Sequence, residues 1–468
     1  MSHNPAAPVL APLHAFGLSN DVQNNVLAVD EATILHPVGR AIALYNLESR
    51  KMAFVRDGTS EKGDVTALAL SPSKKYLAVC ERNETAQISI YHVSSQKKTK
   101  VLPQGGPLAD STADRFITAA FSSDSKLLAA ATGNGELVLW LWDKGRQLAF
   151  QKSSVPYAIS RISFDPREHA QGATICTTGA KFFRLWRLAD GQLKPAPGSG
   201  LAIKKEPPVY TDHAWLPGDD RVVGCTDMGE VQLLERGEVK HTITSAREAG
   251  AASLSCVVAF ARGFITAGAA GLICIFEGPK DEERVPYQLS HTFVCWAPSS
   301  PLSSASASSG RQPLDITALA ISPSEEMLIC SCANSQLATF PIANIDILSS
   351  GSDECHFTLL AGGGFHHGTV TGLDTCVQKP LLVTCGADRT VRVWNYTRRI
   401  CEHVKHFADE PLGCSLHPTG NQVRAGPPRS PPCSHPCSPL CSRPHLLPPP
   451  LPRRSSSASL ISSASSTS

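Results

Sequence analysis

Several clusters in this 468-residue sequence carry side chains of the kinds that bind metals or move protons. Cys433-x3-Cys437-x3-Cys441, with His435 and His445 beside it, offers the soft and borderline donors that zinc takes. The spacing is not the paired C-x2-C framework of a zinc site, and a Cys-Ser-x-Pro low-complexity run accounts for it, so no metal is expected. Cys330-Ser331-Cys332 lies in an apolar run, where alternation puts both thiols on one face. A thiol pair there would be a metal or redox site; the expectation is buried packing, because free cysteine behaves as a small hydrophobe. His366 and His367 follow glycines 362–364, but neither G-x-x-x-x-G-K-[ST] nor G-x-G-x-x-G is present to cradle a phosphate. Asp388 and Arg389 are adjacent opposite charges in a turn. Lys97-Lys98-Thr99-Lys100 and Lys204-Lys205 are short basic runs read as loops, solvated or turned toward an acidic or microtubule partner. No H-E-x-x-H, G-x-S-x-G or kinase-type set occurs. The expectation is therefore no catalytic residue, no cofactor and no metal.

The elements that must hold these residues are read from composition and periodicity. Apolar residues make up 42% of the chain, and 43 Lys+Arg against 41 Asp+Glu leave a net charge of +2. No global field steers the protein to nucleic acid or a membrane surface. No apolar run reaches the ~18 residues of a membrane span, and the N-terminus lacks a basic region before its weakly apolar stretch, so neither membrane insertion nor a signal peptide is expected. The 16 cysteines sit mostly inside apolar runs, which reads as free thiols in a reducing compartment.

One phrase recurs along the chain: an alternating apolar run, a tight turn, a second apolar run, a polar gap and a third run. Copies start near 26, 64, 116, 158, 212, 257, 315, 369 and 413, a mean spacing of about 48 residues, slightly above that of a four-stranded propeller blade. The copy at 26–46 reads as incomplete, and the last stops after Val423. The first turn is marked by His36-Pro37, Ser71-Pro72, Asp165-Pro166, Leu216-Pro217, Ser322-Pro323 and His417-Pro418, since proline pre-sets φ for a corner. Segments 192–208 and 297–312 read as flexible insertions. Each unit alone covers too little apolar surface, and radial stacking covers the rest. The fold class is all-β: a propeller of about seven blades over 13–423, plus an incomplete blade or the start of a second propeller. Residues 1–12 are expected to be a flexible N-terminus.

The best-preserved unit, FHHGTVTGLDTCVQKPLLVTCGADRTVRVWN at 365–395, resembles the WD40 repeat. On that resemblance His366, Thr384, Asp388 and Trp394 occupy the positions of a hydrogen-bonded relay within one blade. Trp140 and Trp186 keep the blade-closing tryptophan position. Ala130 and Asn134 stand at the Thr and Asp positions beside Trp140, so that unit cannot form the relay. The segments 13–48, 71–81, 121–128, 137–142, 321–329 and 369–396 are similar to the cilia- and flagella-associated protein 57 family of WD-repeat proteins. The resemblance implies a non-catalytic adaptor of motile cilia or flagella, located in the axoneme. Its implied partners are axonemal proteins, either inner-arm dynein or microtubule-associated ones, with a role in dynein placement and ciliary beating. The alternative is a soluble cytoplasmic WD-repeat hub or substrate receptor. A third reading, an enzyme with a site in the central channel, requires His, Asp or Arg to converge there.

Residues 424–468 hold 11 Pro, 13 Ser and no acidic residue, which predicts disorder. The break falls in mid-blade, and the expectation is a read-through or gene-model ending on a longer protein.

Overall fold

In the computed structural model, the described residues are 12–56, 63–102, 113–152, 159–167, 173–196, 208–278, 287–296, 313–343, 357–360, 364–426 and 433–436, the last as backbone only. They form eight four-stranded antiparallel sheets and one three-stranded sheet, each a simple meander. The eight full sheets span 27–56, 64–102, 116–151, 159–195, 210–243, 254–294, 316–359 and 370–406 and are numbered here as blades one to eight. The ninth sheet joins Gly413–Leu416, Gln422–Gly426 and Cys433–Pro436.

Alternating β-branched and small residues make the strands, and short polar turns join them. One turn recurs with the same chemistry. Ser71, Ser122 and Ser322 are buried at the end of the first strand of their blades. Each hydroxyl accepts the backbone N–H that opens the next strand, from Tyr76, Leu127 and Met327. Each serine carbonyl accepts from the third residue on, Lys74, Ser125 or Glu325, whose φ lies near +60°. His36-Pro37 is not such a turn: both residues lie inside strand Thr33–Val38. Proline is tolerated there because the neighbouring strand Leu27–Ala28 ends opposite Leu35, leaving no ladder bond to lose.

The inner strands of blades one to seven are Leu27–Ala28, Asp64–Leu70, Phe116–Phe121, Ile159–Phe164, Tyr210–Trp215, Leu254–Phe260 and Ile316–Ile321. From Asp64–Leu70 to Ile316–Ile321 they pack side by side in chain order, Gln23 ahead of blade one bridges to Ala67, and Ile316–Ile321 meets Leu27–Ala28 to close the ring. Hydroxyls pin one inner strand to the next: Thr66 donates to the Phe116 carbonyl at 2.6 Å and Ser160 to the Tyr210 carbonyl at 2.8 Å. The closing seam uses Val26, Ala28 and Ile34 packed with Ala320, Ile329 and Leu337. Asn20 donates to the Ala333 carbonyl at 2.6 Å, and Glu31 accepts from the Ser324 amide at 2.8 Å.

The first unit is therefore a complete blade, with Met52–Arg56 as its outer strand, and not an incomplete copy. Gln192–Pro195 is the outer strand of blade four rather than the start of an insertion, while 197–207 lies outside the described residues, as does all of 297–312. Lys97–Leu102 is likewise a strand, not a loop; Lys204-Lys205 lies outside the described residues. Arg424–Gly426, read from sequence as the start of the tail, belongs to strand Gln422–Gly426, because Ala425 and Val423 pack under blade eight. Residues 1–11 and 437–468 lie outside the described residues.

Blades eight and nine stand outside the ring. Thr371 of blade eight donates to the Pro411 carbonyl at 2.6 Å, repeating the ring's blade-to-blade link toward the ninth sheet. Thr317 of blade seven turns its hydroxyl to Ser331 of its own sheet instead. Blade eight seats on the seam between blades one and seven: Phe16 packs on Trp394 with ring centroids 4.4 Å apart, and Gln336 exchanges two hydrogen bonds with Phe365. Its inner strand, Val370–Thr375, leaves Val370 47% and Leu373 63% exposed, unlike the buried Leu68, Ile162 and Val257 of the ring.

Candidate functional site: the blade relays and the ring centre

Eight side chains occupy one register position on the third strand of their blades. They are Tyr45, Tyr91, Trp140, Trp186, Leu234, Phe276, Phe340 and Trp394, each opposite the second residue of the preceding strand. All are buried, so the position is an apolar plug that tryptophan fills best and phenylalanine or tyrosine fills adequately.

In blade eight the plug is wired. The Trp394 indole N–H donates to Thr384 Oγ1 at 2.7 Å, and Thr384 Oγ1 lies 2.7 Å from His366 Nε2. His366 Nδ1 lies 3.0 Å from both oxygens of Asp388. Asp388 also accepts from the Thr390 hydroxyl and the His367 amide. Burial opposes ionisation of Asp388, yet hydrogen bonds from His366 and Thr390 outweigh it and hold the carboxyl well below its ordinary range. The chain of donors and acceptors is closed within the blade, so it has no free group to present to a substrate. Arg389, next to Asp388, has φ +58° and donates its amide to the Gly386 carbonyl as part of the turn.

Trp140 is fully buried, edge-on to Phe116, and Ala130 below it carries no hydroxyl. Trp186 donates to Thr177 Oγ1 at 2.9 Å. Beside it lies a second network that sequence reasoning missed. His213 on blade five lies 2.6 Å from Ser163 Oγ and 2.7 Å from Thr178 Oγ1, both on blade four, and Trp215 donates to the same Ser163 at 2.9 Å. Burial, with Arg161 second, pushes the His213 pKa down to about 3. The residues are spread over 52 positions, and no local spacing announces them.

The ring centre is polar rather than lined only by small residues. Arg161 on the inner strand of blade four reaches Asn24, ahead of blade one, and pairs with Asp212 of blade five at 3.3 Å. Asp212 also accepts the amides of His213 at 2.8 Å and Val257 at 3.1 Å. Burial raises its pKa against the pull of Arg161 and those amides. Each donor is a fixed neighbour, so this carboxylate braces blades four, five and six together. Among the described residues there is no group of three or more His, Cys, Asp or Glu side chains placed to hold a metal. Cys330 and Cys332 are both buried and free, and burial keeps the Cys330 thiol well above its ordinary range.

A closed ring of seven four-stranded blades, followed by a blade carrying the Trp–Thr–His–Asp chain, defines a WD40-type β-propeller protein. The WD domain, G-beta repeat family matches residues 354–395. A chain in the crystal structure of the mitotic checkpoint complex shares the fold, with a TM-score of 0.52 at 11% identity over 74% of this chain and 100% of its own. Cilia- and flagella-associated protein 57 from Mus musculus is 31% identical over 89% of this chain. Cilia- and flagella-associated protein 57 C from Tetrahymena thermophila is 23% identical over 88%. The 77 kDa echinoderm microtubule-associated protein from Strongylocentrotus purpuratus is 22% identical over 87% of this chain and 54% of its own length. The chain is a WD-repeat homologue of cilia- and flagella-associated protein 57. It spans 36% of the length of that mouse relative.

We propose that the relay holds the strands of blade eight together rather than taking part in any reaction. Thr384→Val removes a hydroxyl that serves both Trp394 and His366 and leaves two buried polar groups unpaired. The expected cost is about 2–4 kcal/mol. Denaturant unfolding followed by far-ultraviolet circular dichroism checks it; a change under a few tenths of a kcal/mol would show that the relay does not hold the blade.

Proposed function

We propose that this protein is a non-catalytic structural adaptor of motile cilia or flagella. Its ring is a rigid support, and its turns and outer strands are the surfaces that bind axonemal proteins, among them microtubule-associated ones or the inner dynein arms. The observation that carries this reading is the 31% identity, over 89% of the chain, to a cilia- and flagella-associated protein. The similarity to an echinoderm microtubule-associated protein supports a place on the cytoskeleton. Closed hydrogen-bond networks at the relay and the ring centre support a binding role, because neither offers an unengaged acid, base or nucleophile to a substrate.

The test is quantitative mass spectrometry of detergent-extracted axonemes against cell-body cytosol from a ciliated cell. Peptides from 13–423 are expected to be enriched in the axoneme. Recovery in cytosol alone would sink the ciliary reading and favour a cytoplasmic WD-repeat hub.

A further inference from the structure

The outer strand of blade two, Lys97–Leu102, differs from the other outer strands. It carries three lysines and no acidic residue, whereas no other described outer strand has more than one lysine. The strand pairs only with Gln87–His92, so its second edge has no partner strand. Lys97 and Lys98 are exposed. The Lys98 ammonium lies 5.4 Å over the ring of Tyr91, and Lys100 Nζ donates to the Asp143 carbonyl at 3.1 Å. That last bond brings the turn of blade three alongside, adding exposed Lys144 and Arg146. Lys75 joins from the same rim, where its carbonyl accepts from the Val93 amide. Six cations thus gather on this rim beside the Asp143 carboxylate and that of Asp124, the latter paired with Lys126, on a chain whose overall charge is only +2.

Edge lysines keep a strand from pairing with copies of itself, because like charges would meet. The same charges favour an acidic strand or extended segment. The chemistry selects peptide over nucleic acid. Five of the six cations are ammonium points rather than the flat forks that grip phosphate in pairs. The nearby aromatics are occupied: Tyr76 and Trp142 pack on each other at 4.6 Å, the Trp142 N–H is bound to the Ser125 carbonyl, and Tyr91 is buried. None is open to stack a base.

We infer that the rim of blades two and three, centred on Lys97, Lys98 and Lys100, is a docking surface for an acidic, extended peptide segment of a partner protein. The inference rests on the adaptor reading and names the chemistry of one of its partners.

The probe is a fluorescein-labelled peptide of alternating glutamate and valine, titrated with the full chain and followed by anisotropy. Binding is expected, weakening steeply as salt is raised. Lys97→Glu/Lys98→Glu/Lys100→Glu should weaken it by more than about tenfold, and the corresponding triple Gln variant by a smaller factor. Reversal of three remote lysines, Lys240, Lys379 and Lys405, should leave affinity within about twofold. Thermal unfolding of each variant checks that it is folded, and the Gln variant carries the test if the charge-reversed one is not. Equal affinity for the native chain and the Gln variant would overturn the site. A single-stranded oligothymidylate of equal charge that binds as tightly as the peptide would overturn the assignment to an acidic peptide. Neither result would bear on axonemal enrichment, which is measured separately.

Discussion

Replacing Glu81 with alanine is expected to destabilise the ring by about 3–5 kcal/mol. Arg56 ends the outer strand of blade one, and Glu81 lies on the second strand of blade two. Their side chains are 0% and 3% exposed, with Arg56 Nη1 3.4 Å from Glu81 Oε1. Arg56 Nη2 also donates to the Gly63 carbonyl at 2.6 Å, just before the inner strand of blade two. One guanidinium therefore ties the end of one blade to the start and middle of the next. Taking away the carboxylate leaves a positive charge in a place water does not reach, and that uncompensated charge is the source of the cost. Removing both charges is a different perturbation. Arg56→Met with Glu81→Leu replaces the pair by packing and is expected to recover most of the loss. Urea unfolding of the two single variants and the double variant closes the cycle. Equal destabilisation by the single and double changes would mean that the pair contributes shape alone.

Acidification between about pH 6.5 and 4 is expected to weaken the ring by several kcal/mol, in a window above that of most carboxylates. Burial holds the His36 pKa down to about 4, against a hydrogen bond at Pro37, and burial with Arg161 holds His213 down to about 3. In the unfolded chain both titrate near 6.5. Above that value neither state binds a proton, and the histidines cost nothing. As pH falls below it, the unfolded chain takes up two protons that the folded ring refuses, at about 1.4 kcal/mol per unit of pKa difference for each. The depressed Asp388 acts lower: its contribution is present above the ordinary carboxylate value and is lost as pH falls below it. Denaturant midpoints measured from pH 7.5 to 4.5 test the first window. His213→Gln should flatten the slope while lowering stability at neutral pH, because Ser163 and Thr178 lose a partner. A midpoint unchanged down to pH 5 would refute the account.

Local chemistry was legible because its causes are local. The Ser71 and Ser322 turns, the plug positions of Trp140, Trp186 and Trp394, and the His366–Asp388 chain all involve residues of one blade or one turn. Alternation alone reveals such strands, and the absence of a hydroxyl at Ala130 alone excludes a relay under Trp140. The same local reading misplaced His36-Pro37 as a turn and Lys97-Lys98-Thr99-Lys100 as a loop, since polarity and proline mark strand edges as well as corners.

By itself the sequence determined the repeat, the all-β class, the buried free thiols and the one complete WD relay, since each follows from spacing within a few dozen residues. Only the tertiary structure decided that units one to seven close the ring and that blade eight begins outside it, on the seam. Closure depends on contacts such as Asn20 with Ala333 and Val26 with Ala320, separated by about 300 residues, where no periodicity links the partners. The same holds for Arg161 with Asn24 and Asp212, for His213 with Ser163, and for the lysine rim of blades two and three: charges placed by the ring's curvature rather than by their order in the chain.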